Sequence, residues 1–159
     1  MEQQQSHFEQ QKIPEPLTVN FERLPKRIQP LHHFVVWRSV QLEDELKKPP
    51  FDPKTGKPAS VANPQSWGSF AEARRAYEIG RFAGIGIVLT QALGIVGIDI
   101  DHCIQQGQPS HEAKQMVSAL GSYTETSPSG TGIRMLLVGT LPGPYRRRAP
   151  LKCTRIAAF

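Results

Sequence analysis

Hydrophobic and polar positions divide the chain into short stretches of two kinds, alternating and helical. The β-branched and aromatic run Phe34-Val35-Val36-Trp37-Arg38 predicts a strand. Residues 84–90 and 95–101 predict two more, joined by the short turn 91–94. A connection that tight predicts an antiparallel hairpin. Phe70, Ala73 and Tyr77 recur at helical spacing, with Ser69 as N-cap, Glu72 as its capping-box partner and Gly80 just past the end. A second helix is predicted over residues 111–120, with Ala113, Met116, Val117 and Leu120 as its apolar face, Ser110 as N-cap and Gly121 as terminator. Residues 123–126 form a short strand candidate and residues 133–139 a longer one. The order strand, helix, strand, strand, helix, strand, strand predicts an α+β fold, an antiparallel or mixed sheet with flanking helices.

The stretches between these elements are polar or punctuated by proline. Residues 1–20, Gln- and Glu-rich at their start, read as a disordered arm. In residues 47–60 the prolines and a glycine predict irregular structure. That loop carries Lys47, Lys48, Lys54 and Lys57, which suit either a solvated surface or phosphate contacts. Trp67 reads as a core anchor, and His32 and His33 point apart on a strand, so they do not share a metal ion. Gly84-Ile85-Gly86 is not a dinucleotide fingerprint, since no helix follows it. No apolar run of about 18 residues predicts a membrane span. The start of the chain lacks the pattern of a signal peptide, so a cytoplasmic location is expected. Cys103 and Cys153 have no metal-ligand spacing and make no disulfide framework. A formal charge of +5 and a pI near 9.5 permit a polyanionic partner without requiring one.

Chemistry concentrates at two places. Asp99 and Asp101 end an apolar run at spacing i, i+2, so on a strand both point to one face. Paired carboxylates repel unless a positive charge stands between them, and Mg²⁺ or Mn²⁺ is the common solution. Downstream, Ser127-Pro128-Ser129-Gly130-Thr131-Gly132 offers hydroxyls and backbone amides that suit phosphate, although it is not a Walker loop.

Together these motifs resemble a known family. Gly97-Ile98-Asp99-Ile100-Asp101-His102-Cys103, followed by the stretch from Ser122 through Ser127-Pro128-Ser129-Gly130-Thr131-Gly132-Ile133-Arg134, is similar to the N-terminal primase–polymerase domain of phage and plasmid replication proteins. That domain belongs to the archaeo-eukaryotic primase superfamily. Val36-Trp37-Arg38, the lysine loop, Trp67-Gly68-Ser69-Phe70 and Gly84-Ile85-Gly86 also fit, so the resemblance covers residues 24–148. It implies a core like that of RNA-recognition modules, spanning residues 21–148 and incomplete at its C-terminal end. It implies a DNA primase/polymerase-type nucleotidyltransferase, dependent on Mg²⁺ or Mn²⁺, acting on nucleoside triphosphates and a DNA template with a replicative helicase as a further partner. Asp99 and Asp101 are the implied metal ligands, and with Arg134 the implied catalytic residues. Ser127, Ser129, Gly130, Gly132 and Arg134 are the implied nucleotide contacts, and Lys47, Lys48 and Lys57 the implied nucleic-acid or phosphate contacts.

Two departures from the family matter. Arg134 stands where the family's second motif commonly ends in His; it can grip phosphate but cannot titrate near neutrality. The family also places a third carboxylate soon after the basic segment, typically within Glu-x-Tyr, whereas no Asp or Glu follows Glu125 here. One back-translation of residues 151–159, shifted by one base, restores Glu-x-Tyr. Residues 149–159 are therefore expected to be an atypical tail, out of frame or truncated. Impaired catalysis follows as the expectation, with the metal held more weakly by two carboxylates than by three. An inactive nucleotide- or nucleic-acid-binding fragment is the alternative. A plain α+β domain, in which the two aspartates merely end a strand and cap a turn, is the third reading.

Overall fold

The computed structural model describes residues 15–42, 45–141, 147–148 and 151–159. In chain order its strands and helices are β1 (Phe34–Trp37), β2 (Val40–Leu42), β3 (Glu45–Lys47), β4 (Pro50–Phe51), α1 (Phe70–Glu78), β5 (Gly84–Val88), β6 (Ile95–Ile100), β7 (Ile104–Gln105), β8 (Gln108–Pro109), α2 (His111–Leu120), β9 (Tyr123–Thr126), β10 (Ile133–Val138), β11 (Arg147–Arg148), β12 (Leu151–Thr154) and β13 (Ile156–Ala158). The fold is α+β with antiparallel sheets and few helices. Two sheets dominate, in the orders β13-β5-β1-β4 and β11-β12-β6-β10-β9, and β2-β3 and β7-β8 form small hairpins.

The helices form where local chemistry dictates. Ser69 accepts from the Glu72 backbone amide, and the Glu72 carboxylate accepts in return from the Ser69 amide at 2.8 Å, which closes the capping box. Gly80, at φ +80°, takes the left-handed conformation that lets the chain leave α1. Ser110 caps α2 by accepting from the Ala113 amide, and Gly121 ends that helix. α1 lays Phe70 and Ala73 on the four-stranded sheet, over Phe34, Val36, Ile85 and Ile87. α2 lays Ala113, Met116 and Val117 over Ile98, Ile100, Ile133 and Met135 of the five-stranded sheet.

Period-two alternation then fixes what the opposite face of that second sheet carries. With Ile98 and Ile100 beneath α2, Asp99 must face the other way. Ile95, Leu136 and Tyr123 share that face and join the core between the two sheets. Asp99 therefore lies at the inner side of the sheet, 4% exposed.

Three expectations are corrected. β5 and β6 do not form a hairpin; each lies in a different sheet, and a 3₁₀ turn over Gln91–Leu93 carries the chain between them. Leu89 and Leu93 pack on one core, so a change of sheet hides more apolar surface than a return along β5 would. The lysine loop is not irregular throughout, because β3 ends in it at Lys47 and β4 forms within it and pairs with β1. Residues 15–20 are not loose either: Val19 is buried against the core, while residues 1–14 of the expected arm lie outside the described residues.

Within the expected tail, β12 lies beside β6 and β13 beside β5, with Ala157 and Phe159 buried. Residues 149–150 lie outside the described residues.

Candidate functional site

The site forms where β6 ends. β6 stops at Ile100, and Asp101 enters a turn in which His102 adopts φ +53°. Asp101 is half-buried and, with Asp99, lines a cavity of about 190 Å³ whose wall also includes Lys48, Ser127, Ser129 and Arg134. Residues drawn from β6, β10, the loop between β9 and β10, and the lysine loop thus converge on one space. Of the residues that the sequence singles out, Lys48, Asp99, Asp101, Ser127, Ser129 and Arg134 do so, and Lys47, Lys57, Gly130 and Gly132 do not.

Arg134 meets Asp99 directly. The β6–β10 register places the two opposite each other, and Arg134 Nε donates to Asp99 Oδ1 at 2.7 Å. Arg134 Nη1 donates to the Ala158 carbonyl, and its other neighbour is Glu125 Oε1 at 3.9 Å. Register explains this neighbour too, since Glu125 of β9 stands opposite Arg134. On the far flank of Asp99, β12 places position 152, a lysine, opposite it. A row of alternating charge thus runs across three strands, Asp99, Arg134 and Glu125 by register.

Sequence reasoning missed Glu125. Burial pushes its carboxyl up to about 7, while a hydrogen bond from Tyr123 and the Arg134 charge pull the other way. Its Oε2 accepts from the Tyr123 hydroxyl at 2.8 Å, and its Oε1 is buried with no hydrogen-bond partner. Burial also pushes the Tyr123 phenol up. No local signal marked it, because Glu125 comes beside Arg134 only through the pairing of β9 with β10.

The Ser127–Gly132 loop is closed by its own bonds. The Gly130 amide donates to the Ser127 carbonyl at 2.8 Å, and the Gly132 amide to Ser127 Oγ at 3.1 Å. Ser127, Ser129 and Thr131 hydroxyls follow one another at 3.0 Å. Gly130 is needed for its φ of +77°; Gly132 is needed for space, since a Cβ there would lie 2.7 Å from the Ile100 carbonyl oxygen. These two glycines shape the loop, and their amides donate within it. Ser129 and the Ser127 side chain face the cavity in their place.

The lysines separate. Lys48 lines the cavity and lies 5.1 Å from the Trp37 ring. Lys47 pairs with Glu45 at 3.3 Å on the surface, and Lys57 is exposed in the 52–57 turn; neither lines the cavity. Lys54 holds that turn against a second 3₁₀ turn, Pro64–Ser66, by donating to the carbonyls of Gln65 and Trp67.

A divalent cation fits this arrangement poorly. Hard cations take about six oxygen ligands. Here one Asp99 oxygen is bonded to a guanidinium, and among the described residues no group of three or more His, Cys, Asp or Glu side chains could hold a metal ion. No helix among them is long and apolar enough to cross a membrane.

No protein-family model matches the chain. A stretch of 111 residues, 69% of the chain, is 34% identical to a DNA primase-polymerase of the Nitratiruptor phage NrS-1 and spans about 15% of that protein's length. The chain is thus related by sequence to a phage DNA primase-polymerase.

Proposed function

We propose that this chain is the nucleotide-binding part of a primase–polymerase-type nucleotidyltransferase core used in phage or plasmid replication. The observation that carries the reading is the single cavity onto which Lys48, Asp99, Asp101, Ser127, Ser129 and Arg134 converge. Lys48 and the hydroxyls of Ser127 and Ser129 suit the oxygens of a triphosphate, and a cavity of about 190 Å³ has no room for the nucleoside as well. The triphosphate therefore enters and the nucleoside stays outside, toward a DNA template. The fold is read as the RNA-recognition-module-like core of that family.

Each residue then has a task. Lys48 supplies a point charge to the phosphate tail. Ser127 and Ser129 orient the tail through hydroxyls held in a row. Arg134 holds Asp99 in place, and Asp101 faces the tail from the turn. Mg²⁺ or Mn²⁺ enters as the companion of the nucleoside triphosphate rather than as a resident ion. With two carboxylates at the cavity, one of them bonded to Arg134, this chain is expected to bind triphosphate and to extend a primer little or not at all. The other reading from the sequence, an inactive nucleotide- or nucleic-acid-binding fragment, is favoured by the same Arg134–Asp99 bond.

Primer extension with Mn²⁺ and labelled nucleotides, run beside equilibrium binding of a fluorescent nucleoside triphosphate, tests the proposal. Saturable binding with negligible extension is expected. Robust synthesis abolished by Asp99→Ala would overturn the impaired-site reading, and absence of binding would overturn the nucleotide site.

A further inference from the structure

We infer that Arg134 is the resident counter-charge of Asp99 and closes that carboxylate to divalent cations. The inference deepens the proposed function and rests on its reading of the two aspartates. It starts from the register: β6 and β10 run antiparallel with Asp99 opposite Arg134, so the two side chains emerge on one face side by side. Their contact, 2.7 Å from Nε to Oδ1, is that of a charge-assisted hydrogen bond. Both residues are under one tenth exposed, so water does little to screen the pair.

The guanidinium is also fixed in place. Nη1 donates to the Ala158 carbonyl of β13, and Glu125 stands on the side away from Asp99. Oxygens from β6, β9 and β13 therefore surround it, and it cannot swing aside without leaving Asp99 and Glu125 buried together. Such like-charged carboxylates resist joint ionisation. A cation approaching Asp99 meets a positive charge already seated there. The need for a cation that the paired aspartates create is thus met at Asp99 by Arg134.

The chemistry has a consequence for what the cavity selects. A bare metal ion loses one of its two protein ligands, whereas a polyphosphate keeps Lys48 and the hydroxyls of Ser127 and Ser129. The residue at position 134 therefore decides whether the aspartate pair behaves as a metal site.

Mn²⁺ titration followed by electron paramagnetic resonance, on the whole chain, tests this with five proteins: wild type, Arg134→Gln, Arg134→Lys, Asp99→Asn and the Arg134→Gln/Asp99→Asn double variant. Wild type is expected to bind Mn²⁺ no tighter than about 1 mM. Arg134→Gln is expected to gain about tenfold or more in affinity. The double variant loses that gain, and Arg134→Lys, which keeps the charge, shows none. Wild-type binding in the micromolar range that Asp99→Asn abolishes overturns the inference, as does a folded Arg134→Gln protein with unchanged affinity. If Arg134→Gln does not fold, the wild-type and Asp99→Asn titrations decide alone. Triphosphate binding measured on the same wild-type sample separates the two failures: its absence sinks the nucleotide site and leaves the Mn²⁺ result standing.

Discussion

Glu125→Gln should make the protein more stable than wild type above neutral pH and slightly less stable in acid. Glu125 has 18% of its side chain exposed, one oxygen bonded to Tyr123 and the other without a hydrogen-bond partner. Its carboxyl rises from 4.5 to about 7 in the folded protein. The folded state therefore holds the proton more tightly than the unfolded chain does. Its contribution to stability is complete below pH 4.5 and is lost as the pH rises through 7. At about 1.4 kcal/mol per pH unit, the loss amounts to about 3 kcal/mol. The Arg134 charge, 3.9 Å away, opposes this rise without cancelling it. Glutamine keeps an acceptor for the Tyr123 hydroxyl and never ionises. Its amide, placed beside Arg134, costs about 1 kcal/mol at every pH. The difference in unfolding free energy between variant and wild type should thus grow by about 3 kcal/mol from about pH 5 to about pH 8, as read by urea denaturation. His33, whose pKa is lowered mainly by burial, titrates in both proteins and cancels. Parallel profiles, with a difference that changes by less than about 0.5 kcal/mol, would refute the reasoning.

Other substitutions check separate parts of the account. Gly132→Ala forces a Cβ to within 2.7 Å of the Ile100 carbonyl oxygen and should cost about 1–3 kcal/mol by thermal or urea denaturation. Ser110→Ala removes the cap of α2 and should cost about 1 kcal/mol, measured the same way. Lys48→Met should weaken binding of a fluorescent triphosphate by about tenfold, while Lys57→Met, at an exposed turn away from the cavity, should leave it unchanged.

What could be read from the sequence was what local chemistry decides. α2 runs from His111 to Leu120 as its cap, apolar face and terminal glycine require, and the Ser69–Glu72 capping box forms as written. Trp67 is a core anchor, 4% exposed, with its indole donating to the Ser60 carbonyl. The aspartate pair and the serine-rich loop, 26 residues apart at Asp101 and Ser127, do reach one cavity. Pairing between distant strands was not legible. Nothing near residues 91–94 says whether the chain folds back or crosses to another sheet, because Leu89 and Leu93 suit either until the second sheet exists. The same blindness hid the charge row. Arg134 reads as a phosphate grip when only its own loop is in view, and its bond to Asp99 becomes visible once β6 and β10 are placed in register. Lysine spacing likewise could not tell Lys48 from Lys47, since the side chain that matters is the one that the short pairing of β4 with β1 brings toward the cavity.

The central claim is that a triphosphate enters the space between Asp101 and the Ser127–Gly132 loop. Backbone amide shifts of the ¹⁵N-labelled chain, followed while a nucleoside triphosphate is added and then while the unphosphorylated nucleoside is added, test it most directly. The account predicts saturable shifts that cluster at Lys48, Asp101, Ser127, Ser129 and Ile133 with the triphosphate and are absent with the nucleoside. Shifts that leave this loop untouched, or that gather at the 52–57 turn around Lys54 and Lys57, would contradict it.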